Sequence, residues 1–163
     1  MKCIFVGNVV PNDVFPNISY VSPSTNNVQL KYIDYLNEIF GSDLYVVSLH
    51  YGTQRLNEQR SSITPKYNFI THNGIEIRTV SFRNNRLLLN FSGVASLYKE
   101  LAKLRNLFDN DRFLFVVNNH FYAWLLPAFL ARQKDDYLIT ILNEGFDVRY
   151  LREHKIGIKD YIH

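Results

Sequence analysis

The sequence predicts an α/β fold in which helices cover both faces of a mainly parallel β-sheet. Residues Phe113–Val117 form an uninterrupted apolar run of strand length, which is typical of a strand buried on both faces. Helical spacing of apolar residues follows at once, from Phe121 to Arg132. Strand-length and helical patterns alternate through the rest of the chain, and this order favours crossover units with parallel strands.

Each element has its own signal in the sequence. Strands are predicted at residues 3–6, 44–49, 75–82, 113–117 and 137–142, and the last of them is predicted to be buried. The first helix is predicted to begin with Asn26 as N-cap and Gln29 three residues later, or with Thr25 as cap, and to end at Gly41. Its buried face is predicted to hold Val28, Tyr32, Ile33, Leu36, Ile39 and Phe40. The second helix has its apolar face at Val94, Leu97, Leu101, Leu104 and Leu107 or Phe108, and the third at Phe121, Trp124, Leu125, Ala128 and Phe129.

The connections are less regular. Residues 50–73 are polar and are predicted to be connection, Asn73-Gly74 is a turn signal, 83–91 is ambiguous, and 146–163 has a weak helical pattern. If the first strand is central and the chain reverses direction after the third, the fold is Rossmann-like. A switch point then lies between the first strand and Phe113–Val117, where ligands bind beyond the carboxyl ends of the strands. The long loop after Gly7 and the turn at Asn118–His120 are expected to face this crevice.

Composition and charge exclude several classes of protein. The chain has 163 residues, which fits one domain, and its net charge of +3 comes without a Lys/Arg-rich run, so nucleic acid is not an expected partner. The lone cysteine, Cys3, excludes an intrachain disulfide and a cysteine zinc cluster, and it is predicted to be buried. Neither a membrane-length apolar segment nor a signal peptide is evident, which predicts a cytoplasmic protein.

The missing motifs narrow the chemistry. Gly7 is followed by Asn8-Val9-Val10-Pro11, so the dinucleotide fingerprint G-x-G-x-x-G is absent. The P-loop and the G-x-S-x-G nucleophile elbow are absent as well. The histidines have no H-E-x-x-H spacing, so no metal is expected. Because the dinucleotide fingerprint is missing too, no other cofactor is expected.

Three stretches of the chain resemble a known family. MKCIFVGNVV at the start, SPSTNNVQLKYIDYL at the first helix and NNHFYAWLLPA after Phe113–Val117 are similar to the N-terminal half of family-4-type glycosyltransferases of the GT-B fold. In that family two Rossmann-like domains face each other across a cleft. The N-terminal domain mostly holds the acceptor, and the C-terminal domain binds the nucleotide-sugar donor.

The resemblance implies that residues 1–163 form a single N-terminal domain without the donor-binding C-terminal domain. The chain is then a fragment of a longer protein, or it works with a separate donor-binding subunit, and alone it is expected to be inactive. The family places a histidine after the strand that corresponds to Phe113–Val117, near the transferred sugar and the phosphates, and His120 matches it. His120 is therefore the predicted catalytic residue, with a protonation state that can be tuned near neutral pH.

Five further residues are predicted to bind substrate. Asn118 and Asn119 are expected to orient sugar hydroxyls, although turn formation is the simpler role for both. Asn26 and Asn27 are expected to meet phosphate or acceptor through backbone N–H groups at a helix N-terminus, and Asn26 has helix capping as its alternative role. Glu144, at the end of the last strand, is the candidate for acceptor hydroxyls.

The expected acceptor is a glycan or a lipid-linked sugar of surface polysaccharide or glycoconjugate synthesis. A lipid-linked acceptor implies peripheral contact with the inner face of a membrane, for which Arg83 and Arg86 beside Leu87–Leu89 are candidates. A strand edge or a solvated turn is the alternative for that segment. Two other functions stay open: a non-catalytic subunit that binds or activates a partner glycosyltransferase, and a flavodoxin-like small-molecule domain.

Overall fold

A computed structural model describes residues 1–9, 23–49, 68–71, 73–81, 89–119 and 122–141. The strands are β1 (Lys2–Gly7), β2 (Leu44–Ser48), β3 (Asn68–Ile70), β4 (Glu76–Thr79), β5 (Phe113–Asn118) and β6 (Tyr137–Ile141). The helices are α1 (Pro23–Phe40), α2 (Leu89–Asn106) and α3 (Tyr122–Ala131), and a short 3₁₀ turn at Gly41–Asp43 joins α1 to β2. None of the described helices is long and apolar enough to cross a membrane.

The described strands form one sheet in the order β3-β4-β2-β1-β5-β6. All neighbouring pairs are parallel except β3 with β4, which is antiparallel. The first strand is therefore central, and the winding reverses between β1 and β5. This confirms the predicted Rossmann-like α/β fold and the position of its switch point.

Helices cover both faces of the sheet, as predicted. On one face α1 packs its Leu30, Ile33 and Leu36 against alternate residues of the central strands, among them Phe5 and Val116. On the other face α2 and α3 pack against the intervening residues of the same strands. Phe113 to Val117 are all buried because each face of β5 has its own apolar partners, which is why the run shows no polar alternation.

The first helix begins earlier than the sequence pattern predicts. It starts at Pro23, a residue whose fixed φ suits the first helical position. The prediction that Asn26 or Thr25 caps the helix is therefore wrong. The buried stripe of α1 is also rotated, since Asn26, Gln29 and Leu30 lie on it while the side chains of Val28 and Ile39 are exposed.

A short edge strand was not predicted. β3 lies in the stretch assigned to connection and forms a hairpin with β4. The predicted turn at Asn73-Gly74 is confirmed, because Gly74 has φ +79° and its N–H donates to the carbonyl of Thr71 at 2.9 Å. The predicted strand over residues 75–82 is shorter in the structure and extends only over Glu76–Thr79.

The last strand, β6, is less buried than the sequence predicts. β6 forms the other edge, so Tyr137 and Ile139 remain partly exposed. In α3 the predicted contacts of Trp124, Leu125 and Ala128 with the core are confirmed. The prediction for Phe129 is wrong, because half of this side chain is exposed.

Candidate functional site

A row of small and polar residues ends the central strands on the face that α1 covers. Thr79 pairs with Ser48, and Ser48 pairs with Gly7. Val6 pairs with Val117, so Gly7 and Asn118 are neighbours one residue further along. Ser48, Thr79 and Asn118 are all buried. We call Thr79, Ser48, Gly7 and Asn118 the carboxyl-edge row, and it spans the switch point.

The glycine in this row makes room for a glutamine from α1. A Cβ atom at Gly7 would lie 2.9 Å from Cε1 of Phe5 and would clash with Oε1 of Gln29. Gln29 itself is completely buried. The close approach between β1 and α1 therefore requires glycine at position 7, and the space above it holds the Gln29 amide.

The Gln29 amide binds the backbone of the residue that follows β1. The N–H of Asn8 donates to Gln29 Oε1 at 2.9 Å, and Gln29 Nε2 donates to the carbonyl oxygen of Asn8 at 3.1 Å. Nε2 also lies 3.5 Å from the carbonyl oxygen of Thr25. One side chain thus satisfies both backbone groups of Asn8, as a neighbouring strand would.

Ser48 holds the next residue in the same way. The N–H of Val9 donates to Ser48 Oγ at 2.7 Å, and Ser48 Oγ donates to the carbonyl oxygen of Val9 at 2.9 Å. Each such bond contributes about 1 kcal/mol, and burial raises the cost of losing one. Asn8 and Val9, the first two residues of the predicted long loop, are therefore fixed by α1 and β2.

Two buried side-chain oxygens near the switch point have no hydrogen-bond partner among the described residues: Oδ1 of Asn8 and Oδ1 of Asn118. They belong to the ends of the adjacent strands β1 and β5. A buried acceptor without a donor costs about 1–3 kcal/mol. A ligand that brings hydrogen-bond donors to these oxygens recovers that free energy.

The structure separates the two asparagines that follow Phe113–Val117. Asn118 is the last residue of β5, and its side chain is buried. Asn119 has φ +77°, and its N–H donates to the carbonyl oxygen of Ile141 at 2.8 Å. Asn119 is therefore a turn residue, whereas the turn alternative does not apply to Asn118.

Asn26 and Asn27 lie inside α1, at the end of its first turn. Asn26 is buried and Asn27 is exposed. The helix begins at Pro23, three residues before Asn26, so neither asparagine is its first residue or its N-cap. The predicted substrate contact itself stays a prediction for both residues.

Other predicted site residues lie outside the described residues. They are His120, Glu144 and residues 83–88 of the candidate membrane-contact segment. Phe121, predicted on the apolar face of the third helix, lies outside them as well. The long loop after β1 is described only to Val9. The catalytic prediction for His120 and the acceptor prediction for Glu144 therefore stay predictions.

Sequence reasoning missed Asn8, Gln29 and Ser48. The sequence pattern predicts Gln29 as part of a helix cap. A polar residue on the buried face of a helix, however, indicates a polar partner on the element that the helix packs against. Gly7 at the end of a buried strand was the corresponding signal on the sheet. Neither signal names its partner, because the two residues are far apart in the chain.

An open depression of about 310 Å³ lies at the amino ends of β2 and β4, opposite the carboxyl edge. Asn37, Tyr45, Asn73 and Arg78 are among its lining residues. Arg78 there is 3.6 Å from the carboxylate of Glu76, and the depression contains neither of the two partnerless oxygens. In open α/β sheets ligands bind at the carboxyl ends of the strands, so the carboxyl edge is the better candidate.

Comparison with known proteins returned no relative: no family model, no curated protein and no solved structure matches this chain. Across the described residues, three or more His, Cys, Asp or Glu side chains do not come together in a group that could hold a metal ion.

Proposed function

We propose that this chain is the acceptor-side half of a nucleotide-sugar-dependent glycosyltransferase of the GT-B type. The proposal is supported by a Rossmann-like sheet whose switch point is lined by polar, mostly uncharged groups. The observation that carries it is the pair of partnerless oxygens on Asn8 and Asn118. Sugar hydroxyls can donate hydrogen bonds to these oxygens. The proposed ligand is therefore a glycan or a lipid-linked sugar.

The proposed chemistry is transfer of a sugar through an oxocarbenium-like transition state. Charge develops on the sugar ring and on the departing diphosphate, so donors placed near both lower the barrier. In this proposal Asn118 orients an acceptor hydroxyl, and His120, two residues further on, donates to the transferred sugar or the phosphates. A second, donor-binding domain or subunit supplies the nucleotide-sugar site.

Binding of carbohydrate is the first test. The 163-residue chain is screened on a glycan array, and the variant Asn118→Leu is screened beside it. We expect binding that Asn118→Leu removes. Asn106→Leu is the matched control, because Asn106 is an exposed residue at the C-terminal end of α2, towards the other edge of the sheet. Equal binding by all three proteins, or by none, contradicts the proposal.

Catalysis requires the donor-binding half. In a protein that contains both halves, His120→Ala is expected to lower transfer by about 10²-fold or more while the far-UV circular dichroism stays unchanged. Turnover that is insensitive to this substitution removes His120 from the catalytic role and leaves the carbohydrate-binding role of Asn118 intact.

A second candidate function is a non-catalytic subunit that binds and activates a partner glycosyltransferase. It is favoured by one side of α3, where four large apolar residues are exposed: Tyr122, Leu126, Phe129 and Leu130. Exposed apolar side chains at this spacing form a stripe along the helix. If this function holds, Leu126→Glu with Leu130→Glu reduces the activity of the partner enzyme, whereas Asn118→Leu does not.

A further inference from the structure

Among the described residues, five backbone donors that directly follow the parallel strands are already used within the protein. The residues that follow β1, β2, β4 and β5 each donate their N–H to a protein oxygen. These bonds are Asn8 to Gln29 Oε1 (2.9 Å), Val9 to Ser48 Oγ (2.7 Å), Leu49 to Gly7 O (2.9 Å), Val80 to Ser48 O (3.1 Å) and Asn119 to Ile141 O (2.8 Å). The indole N–H near this edge is also used, since Trp124 donates to the carbonyl oxygen of Leu49 at 3.2 Å.

A phosphate group needs such donors. In sheets of this class a phosphate is bound by free backbone N–H groups where the first strand turns into the first helix, and a glycine there permits its close approach. In this chain the glycine is present as Gly7, but the Gln29 amide fills the space above it. The N–H of Asn8, which would point at a phosphate, is bonded to that same amide.

The start of α1 has one backbone donor fewer than a helix that begins with another residue. Its first residue is Pro23, which has no N–H to offer. Among the described residues that end or directly follow the parallel strands, none is Lys, Arg or His. Positive charge for a phosphate is therefore missing from this part of the edge as well.

Among the described residues at this edge, the buried side-chain atoms without a hydrogen-bond partner are two acceptors, Oδ1 of Asn8 and Oδ1 of Asn118. A phosphate oxygen is itself an acceptor and has no hydrogen to share with them. A neutral hydroxyl has one. These two oxygens thus favour a polyol over an anion.

We infer that the turn after β1 rejects phosphate and that the neighbouring ends of β1 and β5 select a neutral, hydroxyl-bearing ligand, with Gln29 as the residue that determines this specificity. The inference deepens the proposed function and rests on it for the identity of the ligand. It places the acceptor sugar at Asn118 and assigns the donor diphosphate to groups other than the turn after β1. Gln29 acts as a positioning residue, because it holds Asn8 and does not itself present a free group.

The test is a titration of the ¹⁵N-labelled full chain with pyrophosphate, followed at the amide signals of Asn8, Val9 and Asn119 at constant ionic strength. We expect no shift of these signals in the unchanged chain. Gln29→Ala frees the Asn8 N–H and the space above Gly7, and it is expected to gain pyrophosphate-dependent shifts. Gln29→Glu keeps an acceptor for Asn8 and adds negative charge, so it is expected to stay insensitive.

Pyrophosphate shifts in the unchanged chain would overturn the inference, and that measurement needs no variant to fold. A folded Gln29→Ala that gains no shifts would also overturn it, by removing Gln29 as the determinant. A second variant, Asn118→Asp, tests whether Asn118 accepts a hydrogen bond from the ligand. A carboxylate still accepts from hydroxyls, so the glycan that binds the unchanged chain on the array must still bind this variant. Loss of that binding would show that Asn118 acts as a donor.

These outcomes separate the inference from the proposed function. If no glycan binds and pyrophosphate causes no shifts, the glycosyltransferase proposal fails, whereas the inference that Gln29 blocks phosphate at the turn after β1 is supported. If pyrophosphate binds at Asn8 and Val9 while a glycan still binds at Asn118, the function stands and the specificity assigned to Gln29 fails.

Discussion

The guanidinium of Arg105 donates from Nε to Oδ2 of Asp136 at 2.8 Å, and both side chains are almost completely buried. The same carboxylate accepts from the backbone N–H of Phe113 and from that of Gln133, each at 2.8 Å. Arg105 also reaches Oε1 of Gln133 at 2.7 Å. One ion pair thus joins the end of α2, the start of β5 and the turn before β6.

Replacing Asp136 by alanine is expected to destabilise the fold by about 3–5 kcal/mol, because it leaves a buried guanidinium without its counter-charge and removes the acceptor of the buried Phe113 N–H and of the part-buried Gln133 N–H. The measurement is the free energy of unfolding from urea denaturation. Asp135→Ala is the matched control, since the neighbouring Asp135 is exposed, and its effect should stay within about 0.5 kcal/mol. Equal losses for the two variants would contradict the assigned role of the pair.

The contact between Gly7 and Gln29 makes a second prediction. Gly7→Ala is expected to destabilise by about 1–3 kcal/mol, because the added methyl group meets Gln29 and Phe5 in a packed interface. Gln29→Ala removes one of those neighbours, so the double variant should lose less than the sum of the two single losses, with a coupling of at least about 0.5 kcal/mol.

The control for this cycle is Gly74→Ala. Gly74 has φ +79° and open space around it, so its substitution costs backbone strain that Gln29→Ala cannot relieve. Its losses should add to those of Gln29→Ala. Additive behaviour at Gly7 as well would mean that the glycine is not required by the glutamine.

The sheet was predictable because its central strands are recognised by apolar runs alone. Phe113–Val117 and the segment at Cys3–Val6 lack polar alternation since both faces are covered, and this property follows from the topology. Edge strands carry a weaker signal. β3 has only three residues and pairs on one side, and its Ile70 is 71% exposed, so local pattern does not distinguish it from a loop.

Helix faces were predicted where apolar and polar residues separate clearly, as in α2. In α3 nearly every residue is apolar, so spacing alone cannot orient the helix, and Phe129 was assigned to the wrong side. The start of α1 was misplaced because Ser24, Thr25, Asn26 and Asn27 are all acceptable caps. The helix starts before all four, at Pro23, whose fixed φ suits the first helical position.

The candidate site was predictable in place and not in its parts. The switch point follows from strand order, and Asn118 follows from its position after a buried run. Gln29 could not be paired with Asn8 from the sequence, because the two residues are 21 positions apart and the long loop between them contributes no periodicity. Contacts of this kind are set by the crossing of α1 over β1, which appears only in three dimensions.

Burial of Cys3 leads to a prediction about pH. The thiol lies in the core below α1, and burial raises its pKa from 9.0 to about 12. In the unfolded chain the thiol loses its proton above 9.0, while in the folded chain it stays protonated until about 12. The unfolded state therefore gains free energy from ionisation first, and the contribution of Cys3 to stability is present below 9.0 and is lost as pH rises towards 12.

The measurement compares the unchanged chain with Cys3→Ala. Alanine does not ionise, so the difference between their free energies of unfolding isolates the thiol from the tyrosines and lysines that also titrate at high pH. We expect the advantage of the unchanged chain to shrink above pH 9.0 by about 1.4 kcal/mol per pH unit. In the same way, a thiol reagent at neutral pH should modify Cys3 only at the rate of unfolding. A constant difference across this range, or rapid modification of the folded protein, would mean that water reaches the thiol and that α1 does not seal this part of the core.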